Sequence, residues 1–311
     1  MNIQRGNKMI KPGAPFGEEL TSVCHAGSRS TPAVQRLNTP QMLASEITLR
    51  IGPVAFTVES RTPVMTQIIH HHFSPEIGRP VEGSPRLVCE SGFFPDKDFA
   101  LRESGRTVEA RSHYWILRNT GLEATYLPRY RLAWAAIPEK LPQFLTLLQM
   151  LFPLWLEGFD GMLIRGSTVV HHERSYLLLD DSALGDERAD GTPKASSLFG
   201  GEISLLAQSK DGKFMAHQTP LGGNARPATK LKGAPLAEIF ICSGTVAPDK
   251  APLTGNQAFS HLYSRLLTFT EDPSRHGALR ERVRRLTEHV RVRVLPNGSD
   301  IRFLTGYTEH H

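Results

Sequence analysis

Leu236 to Cys242 is an almost wholly apolar run, broken only by Glu238. A stretch of that length with no polar alternation has to be covered on both faces, so it predicts a central buried strand. The chain has 311 residues, of which 40% are hydrophobic and 22% charged, enough for one large domain or two ordinary ones and unlike a disordered chain. No run of about eighteen apolar residues occurs. The longest, Phe144 to Leu156, is interrupted by Gln149 and Pro153 and reads as a buried helix. Arg5, Lys8 and Lys11 lie in Met1 to Pro15 with no apolar segment behind them, so neither a membrane span nor a secretion signal is expected, and the cytoplasm is the expected location. Cys24, Cys89 and Cys242 are odd in number and far apart, with no Cys-x-x-Cys, which argues against a disulfide framework or a zinc ribbon.

Residues 1 to 44 are rich in Gly, Pro, Ser, Thr and Asn without sustained periodicity and predict a disordered tail. From Glu46 the pattern changes. Ile47, Leu49 and Ile51 alternate with polar neighbours, Gly52-Pro53 turns the chain, and Ala55 to Val58 resumes extended character, so a β-hairpin is expected. Thr62-Pro63 caps a helix whose apolar side is Val64, Ile68 and Ile69. Strands are expected at 86–89, 107–110, 114–118 and 124–130, giving a small α+β module over 45–157 that ends with a helix at Leu141 to Trp155.

The two glycines of Gly158-Phe159-Asp160-Gly161 mark the expected boundary with a second domain, 158–311. There Met162 to Val170 predicts a strand, His171 to Arg174 a polar turn, and Ser175 to Leu179 a second strand. A hairpin is expected from Ile203–Ala207 and Lys213–Ala216, helices at 255–267 and 276–290, and a closing hairpin from Val292–Leu295 and Ile301–Leu304.

The formal charge is +5, and the stretch from Ser274 to Arg293, with seven arginines against Glu281 and Glu288, accounts for all of it. Leu279, Val283, Leu286 and Val290 form the core stripe of one amphipathic helix, which leaves the arginines on a solvated surface. No RNA-binding aromatic motif or helix-turn-helix accompanies them, so nucleic acid is a lesser expectation. His70-His71-His72 and His171-His172 are adjacent residues, a poor spacing for chelation on a helix, so no metal site is expected.

Several strings from Gly161 to Leu304 carry a resemblance. Met162 to Val170 leads through a polar turn to Tyr176-Leu177-Leu178-Leu179. Asp211-Gly212-Lys213-Phe214-Met215-Ala216-His217-Gln218-Thr219-Pro220 is followed by Ala234-Pro235-Leu236-Ala237-Glu238-Ile239-Phe240 and the ending Val290 to Leu304. These strings resemble the kinase domain of HPr kinase-like proteins, especially the divergent members of peptide-modification cassettes of the SynChlorMet type. The resemblance implies an α/β fold with a P-loop core like that of phosphoenolpyruvate carboxykinases and HPr kinases, preceded by the small α+β module. It also places Arg165 where relatives have a nucleotide-facing histidine.

The departure from that pattern falls on the chemistry. A P-loop needs G-x-x-x-x-G-K-[ST], whose backbone N–H groups and lysine hold the phosphates while its hydroxyl holds Mg²⁺. After Leu179 the chain instead reads Asp180-Asp181-Ser182-Ala183-Leu184-Gly185-Asp186-Glu187-Arg188. Ser182 and Gly185 fit, whereas Asp186 and Glu187 occupy the lysine and Ser/Thr positions. Like charges about 4 Å apart repel by roughly 4 kcal/mol at an effective dielectric near 20, which opposes docking of a triphosphate among these carboxylates. Lys194 and Ser196 offer a displaced phosphate and metal pair, weakened by Pro193, which has no N–H to donate. His217 is either a residue near an acceptor or a structural histidine bonding its turn. Arg226 and Lys230, on the loop after Gly222-Gly223, are anion-binding candidates or solvated charges.

The expected function is therefore that of a catalytically degenerate HPr kinase-like protein. It would need no cofactor and would bind or regulate a protein or peptide partner, in a peptide-modification pathway by analogy, with a homo-oligomer as a further option. The alternative is an active kinase using ATP and Mg²⁺ on a serine or small molecule, with Lys194 and His217 as catalytic residues. A further alternative is a nucleic-acid-associated protein.

Overall fold

The computed structural model describes residues 44–92, 107–119, 121–180, 196–200, 202–222, 232–243, 253–268 and 273–296. The expected tail at 1–44, except its last residue, and the strand expected at Ile301–Leu304 lie outside these.

The hairpin forms as the alternation requires. β1 (Ser45–Ile51) pairs antiparallel with β2 (Val54–Ser60). Gly52 turns the chain at φ +57° and could not carry a side chain there, since a Cβ would lie 2.9 Å from Leu205 Cδ2. Thr62 caps α1 (Pro63–His72), accepting from the Met65 N–H at 3.3 Å. The buried face of α1 is Met65 and Ile69, while Val64, expected on the apolar side, is exposed.

β3 (Arg86–Ser91), β4 (Thr107–Ala110), β5 (Trp115–Asn119), β6 (Leu122–Leu127) and β7 (Leu132–Ile137) complete a seven-stranded mixed sheet ordered β1-β2-β3-β7-β6-β5-β4. β7 follows a short 3-10 turn at Pro128–Tyr130, where sequence reading placed the end of a longer strand; Arg131, at φ 50°, reverses the chain there. α2 (Leu141–Trp155) lays Phe144, Leu147, Leu148, Leu151 and Phe152 on one face of this sheet.

The second sheet begins with β8 (Gly161–Arg165) and β9 (Ser167–His171), which sequence reading merged into one strand. They belong to opposite wings. Gly166 makes the corner, and a Cβ there would stand 2.7 Å from the Leu178 carbonyl oxygen, so only glycine fits. β10 (Arg174–Asp180), β11 (Ser196–Gly200), β12 (Ile203–Gln208), β13 (Phe214–His217) and β14 (Gly233–Ser243) follow.

The order is β11-β9-β10-β14-β13-β12-β8, with β15 (Arg291–Pro296) also on β14. β14 is the hinge of the arrangement. Its start pairs antiparallel with β13, and its apolar remainder runs parallel between β10 and β15, which confirms Leu236–Cys242 as a central strand. β15 lies parallel to β14, having returned through α3 (Gly255–Ser264) and α4 (Pro273–His289).

The molecule is thus a mixed α/β structure with two mixed sheets and few helices among the described residues. Its main hydrophobic cluster continues from the first sheet through α2 to Leu163, Ile203, Leu205, Leu221 and Leu267, on both sides of position 158.

The arginines of α4 divide between two sides of the helix. Arg282 is 7% exposed and donates to the carbonyls of Gly161 and Glu157 at 3.3 and 3.2 Å, with the Asp160 carboxylate 3.4 Å away. Arg285 donates to Gln208 and Asp160, and Arg275 pairs with Glu157 and lies 4.1 Å over the Trp115 ring, so these three fasten α4 to the turn after α2. Arg280 and Arg284 stay exposed, the latter paired with Glu281 and Glu288 of the same helix, as the expected solvated surface requires.

Candidate functional site

The three parallel strands β10, β14 and β15 end side by side, with Asp180 abreast of Cys242 and Cys242 abreast of Leu295. In open α/β sheets ligands bind outside the carboxyl ends of such strands. The corner beside the end of β10 is rigid. The Thr168 and Ser204 hydroxyls lie 2.7 Å apart in the interior, Ser204 donates to the Gly166 carbonyl at 2.8 Å, and the Gly166 N–H donates to Glu202 at 2.9 Å. Arg165 is anchored there by its backbone, its N–H donating to the Arg265 carbonyl at 2.8 Å, and its side chain is exposed. Glu202 in turn donates its N–H to the Gly222 carbonyl at 3.2 Å.

Of the residues proposed from sequence, the structure therefore brings Arg165 to the end of β10. Ser182, Gly185, Asp186, Glu187, Lys194, Arg226 and Lys230 lie outside the described residues. A P-loop hydroxyl sits in the first turn of a helix, whereas Ser196 opens strand β11 opposite His171 of β9.

His217 is half-buried, its ring turned toward two glycines. Its ring lies against Gly52 and Gly233, and a Cβ on Gly233 would meet Nδ1 at 2.9 Å. Burial holds its imidazole below the ordinary histidine range, opposed by a hydrogen bond to the Lys232 backbone. This environment matches the structural alternative. Because the folded state binds its proton less readily than the unfolded chain, His217 contributes stability above about pH 6.5 that is lost as pH falls. The melting temperature is expected to drop between neutral and mildly acidic pH, and His217→Leu should lessen that drop. An equally steep acid limb in the variant would contradict the assignment. His171, also lowered by burial and by His172, contributes slope of the same sign.

Glu76 escaped sequence reading. It is 8% exposed, its carboxyl is pushed up by desolvation, and Lys232 beside it donates to the Pro75 carbonyl at 3.2 Å. No periodic signal marks a carboxylate in a single 3-10 turn. Arg282 did leave a trace, since it lies three residues after Leu279 on the border of the apolar stripe.

A cavity of only about 10 Å³, room for about one water, lies between β4, α2 and α4, lined by Val108, Met150, Pro153, Leu154 and Thr268 with the Glu157–Arg275 pair, too small for a substrate. Among the described residues no group of three or more His, Cys, Asp or Glu side chains is placed to hold a metal ion, and no helix is long and apolar enough to cross a membrane. Comparison with protein-family models and with curated proteins finds no match to this chain.

Proposed function

We propose that the chain is a catalytically degenerate HPr kinase-like protein, a scaffold of P-loop ancestry that binds or regulates a protein or peptide instead of transferring phosphate. The observation that carries this reading is the sequence that follows β10. From 180 to 190 it holds five carboxylates, Asp180, Asp181, Asp186, Glu187 and Asp190, and one arginine, Arg188, where the resemblance implies a phosphate cradle. A cradle for a polyanion works through backbone N–H groups and cations, and carboxylates at the lysine and hydroxyl positions remove both the charge neutralisation and the Mg²⁺ ligand. The strand position of Ser196 weakens the displaced-loop version of an active kinase. The internal pairing of the α4 arginines likewise weakens a nucleic-acid surface on that helix.

Incubation with radiolabelled ATP, Mg²⁺ and candidate peptides tests the reading. Neither phosphate release nor transfer above background is expected. Transfer that disappears in Lys194→Ala would establish the active kinase in its place.

A further inference from the structure

One end of the seven-stranded sheet differs from the rest of it. The register sets Thr48, Thr57, Arg86 and Leu132 in one row across β1, β2, β3 and β7, so the carboxyl end of β1 and the amino ends of the other three strands lie together. The loop 78–85 and the turn 128–131 close this end and are tied to each other. Arg131 Nη1 donates to the Gly83 carbonyl at 3.2 Å, and the Arg86 N–H donates to the Arg131 carbonyl at 2.8 Å. The loop also reaches β1, where the Gly78 N–H donates to the Thr48 carbonyl at 2.9 Å and Ile77 bridges to Leu49.

Two properties coincide there. Arg50 at the end of β1, Arg79 in the loop, and Arg129 and Arg131 in the turn have no carboxylate partner among the described residues. The other arginines of this sheet and its strand ends, Arg61, Arg86, Arg111 and Arg118, are all paired. Glu82 is the only acid in the loop and the turn. Of the six large hydrophobic side chains exposed among the described residues, three, Ile77, Val81 and Tyr130, lie on this same end. Tyr130 is the most open of the six at 56%, and the Arg129 guanidinium lies 5.8 Å from its ring centroid.

We propose that this end of the sheet binds an acidic segment of a partner protein, with apolar side chains between its carboxylates. Charge complementarity selects that occupant. Cations without counter-charges of their own draw in carboxylates and fix their register, and tyrosine and arginine are the residue types that anchor protein contacts. Three strand spacings separate β1 from β7, about 14 Å, which an extended peptide crosses in about four residues. A single-stranded nucleic acid would satisfy the charge, but it binds through successive stacking rings, and one tyrosine beside the aliphatic Ile77 and Val81 does not supply them. The inference gives a surface and a partner chemistry to the binding role proposed above. It uses no residue of β10 or of the stretch that follows, so it stands whether or not the chain transfers phosphate.

Fluorescence anisotropy tests it, with the full chain and a labelled peptide of about eight residues that alternates glutamate with leucine or phenylalanine, long enough to span the row. Saturable micromolar binding is expected, weakening at least about fivefold as salt rises from about 0.01 to about 0.15 M and the Debye length shortens from about 30 to about 8 Å. Arg79→Glu and, independently, Arg129→Glu should each weaken it by at least about fivefold with unchanged far-UV circular dichroism. Arg111→Glu, at the far edge of the sheet, carries the same change in net charge and should leave binding within about twofold. No binding at about 100 µM protein would overturn the proposal, as would an equal loss in Arg111→Glu. Tighter binding of a thymidine oligonucleotide that is lost in the Arg79 and Arg129 variants would also overturn it, in favour of nucleic acid.

Discussion

Phe56→Ala is expected to destabilise the protein by about 3–5 kcal/mol, the cost of emptying a fully buried aromatic site. Phe56 is completely buried on β2, and its ring meets Phe152 edge-on at 5.7 Å and Trp155 at 5.0 Å, so strand and helix are joined through one aromatic triad. Truncation removes the transfer term and leaves a cavity walled by two large rings of α2. Those rings cannot collapse inward without moving the helix, which also supports Leu163 and Leu205 of the second sheet in the same cluster. Phe56→Leu should cost less, because most of the volume remains. Urea titration checks both values; a loss below about 1 kcal/mol for the alanine variant would mean that the triad does not join the layers.

The second large effect concerns Glu238, the one polar residue in the apolar run of β14. Its side chain is 5% exposed, and one oxygen, Oε1, lies 3.1 Å from Arg291 Nε and 3.4 Å from Arg293 Nη2. Arg291 is 57% exposed and contributes a solvent-screened contact, so Arg293, 16% exposed, is the principal compensation for this charge. Arg293→Met is expected to cost about 3–5 kcal/mol, because it strands a buried carboxylate. Adding Glu238→Leu should recover most of that loss, since an apolar replacement of both partners leaves nothing to desolvate. The cycle is measured by denaturant unfolding of both single variants and the double variant. Simple additivity would contradict the account.

Much of the architecture could be read from local chemistry. Thr62-Pro63, Gly52-Pro53 and the alternation around Ile47 each state a start, a turn or a face by themselves, and the corresponding elements form where expected. α2 was legible to the residue because Pro142 is tolerated in its first turn and its apolar residues run nearly all round. What escaped depends on partners distant in sequence. The split between β8 and β9 falls at Arg165-Gly166-Ser167, where the glycine was the only local sign, and follows from the approach of the Leu178 carbonyl to Gly166. β7 lacks clean alternation because Ala136 is buried on one face of the sheet while Ala133, Ala135 and Ile137 are buried in the main cluster on the other. The role of the α4 arginines depended on Asp160, which sits at φ 47° in a turn more than a hundred residues away.

The candidate site divides in the same way. The charge of 180–190 is a property of the sequence alone, whereas the burial of His217 against two glycines and the corner that holds Arg165 required the fold. On the proposed reading, the acidic stretch lacks the cation that phosphoryl transfer demands on the phosphates.

Isothermal titration of the full chain with ATP, with and without Mg²⁺, addresses this most directly. The account predicts no heat of binding up to about millimolar nucleotide in either condition, equivalent to less than roughly 4 kcal/mol of affinity. Saturable micromolar binding that depends on Mg²⁺ would contradict it.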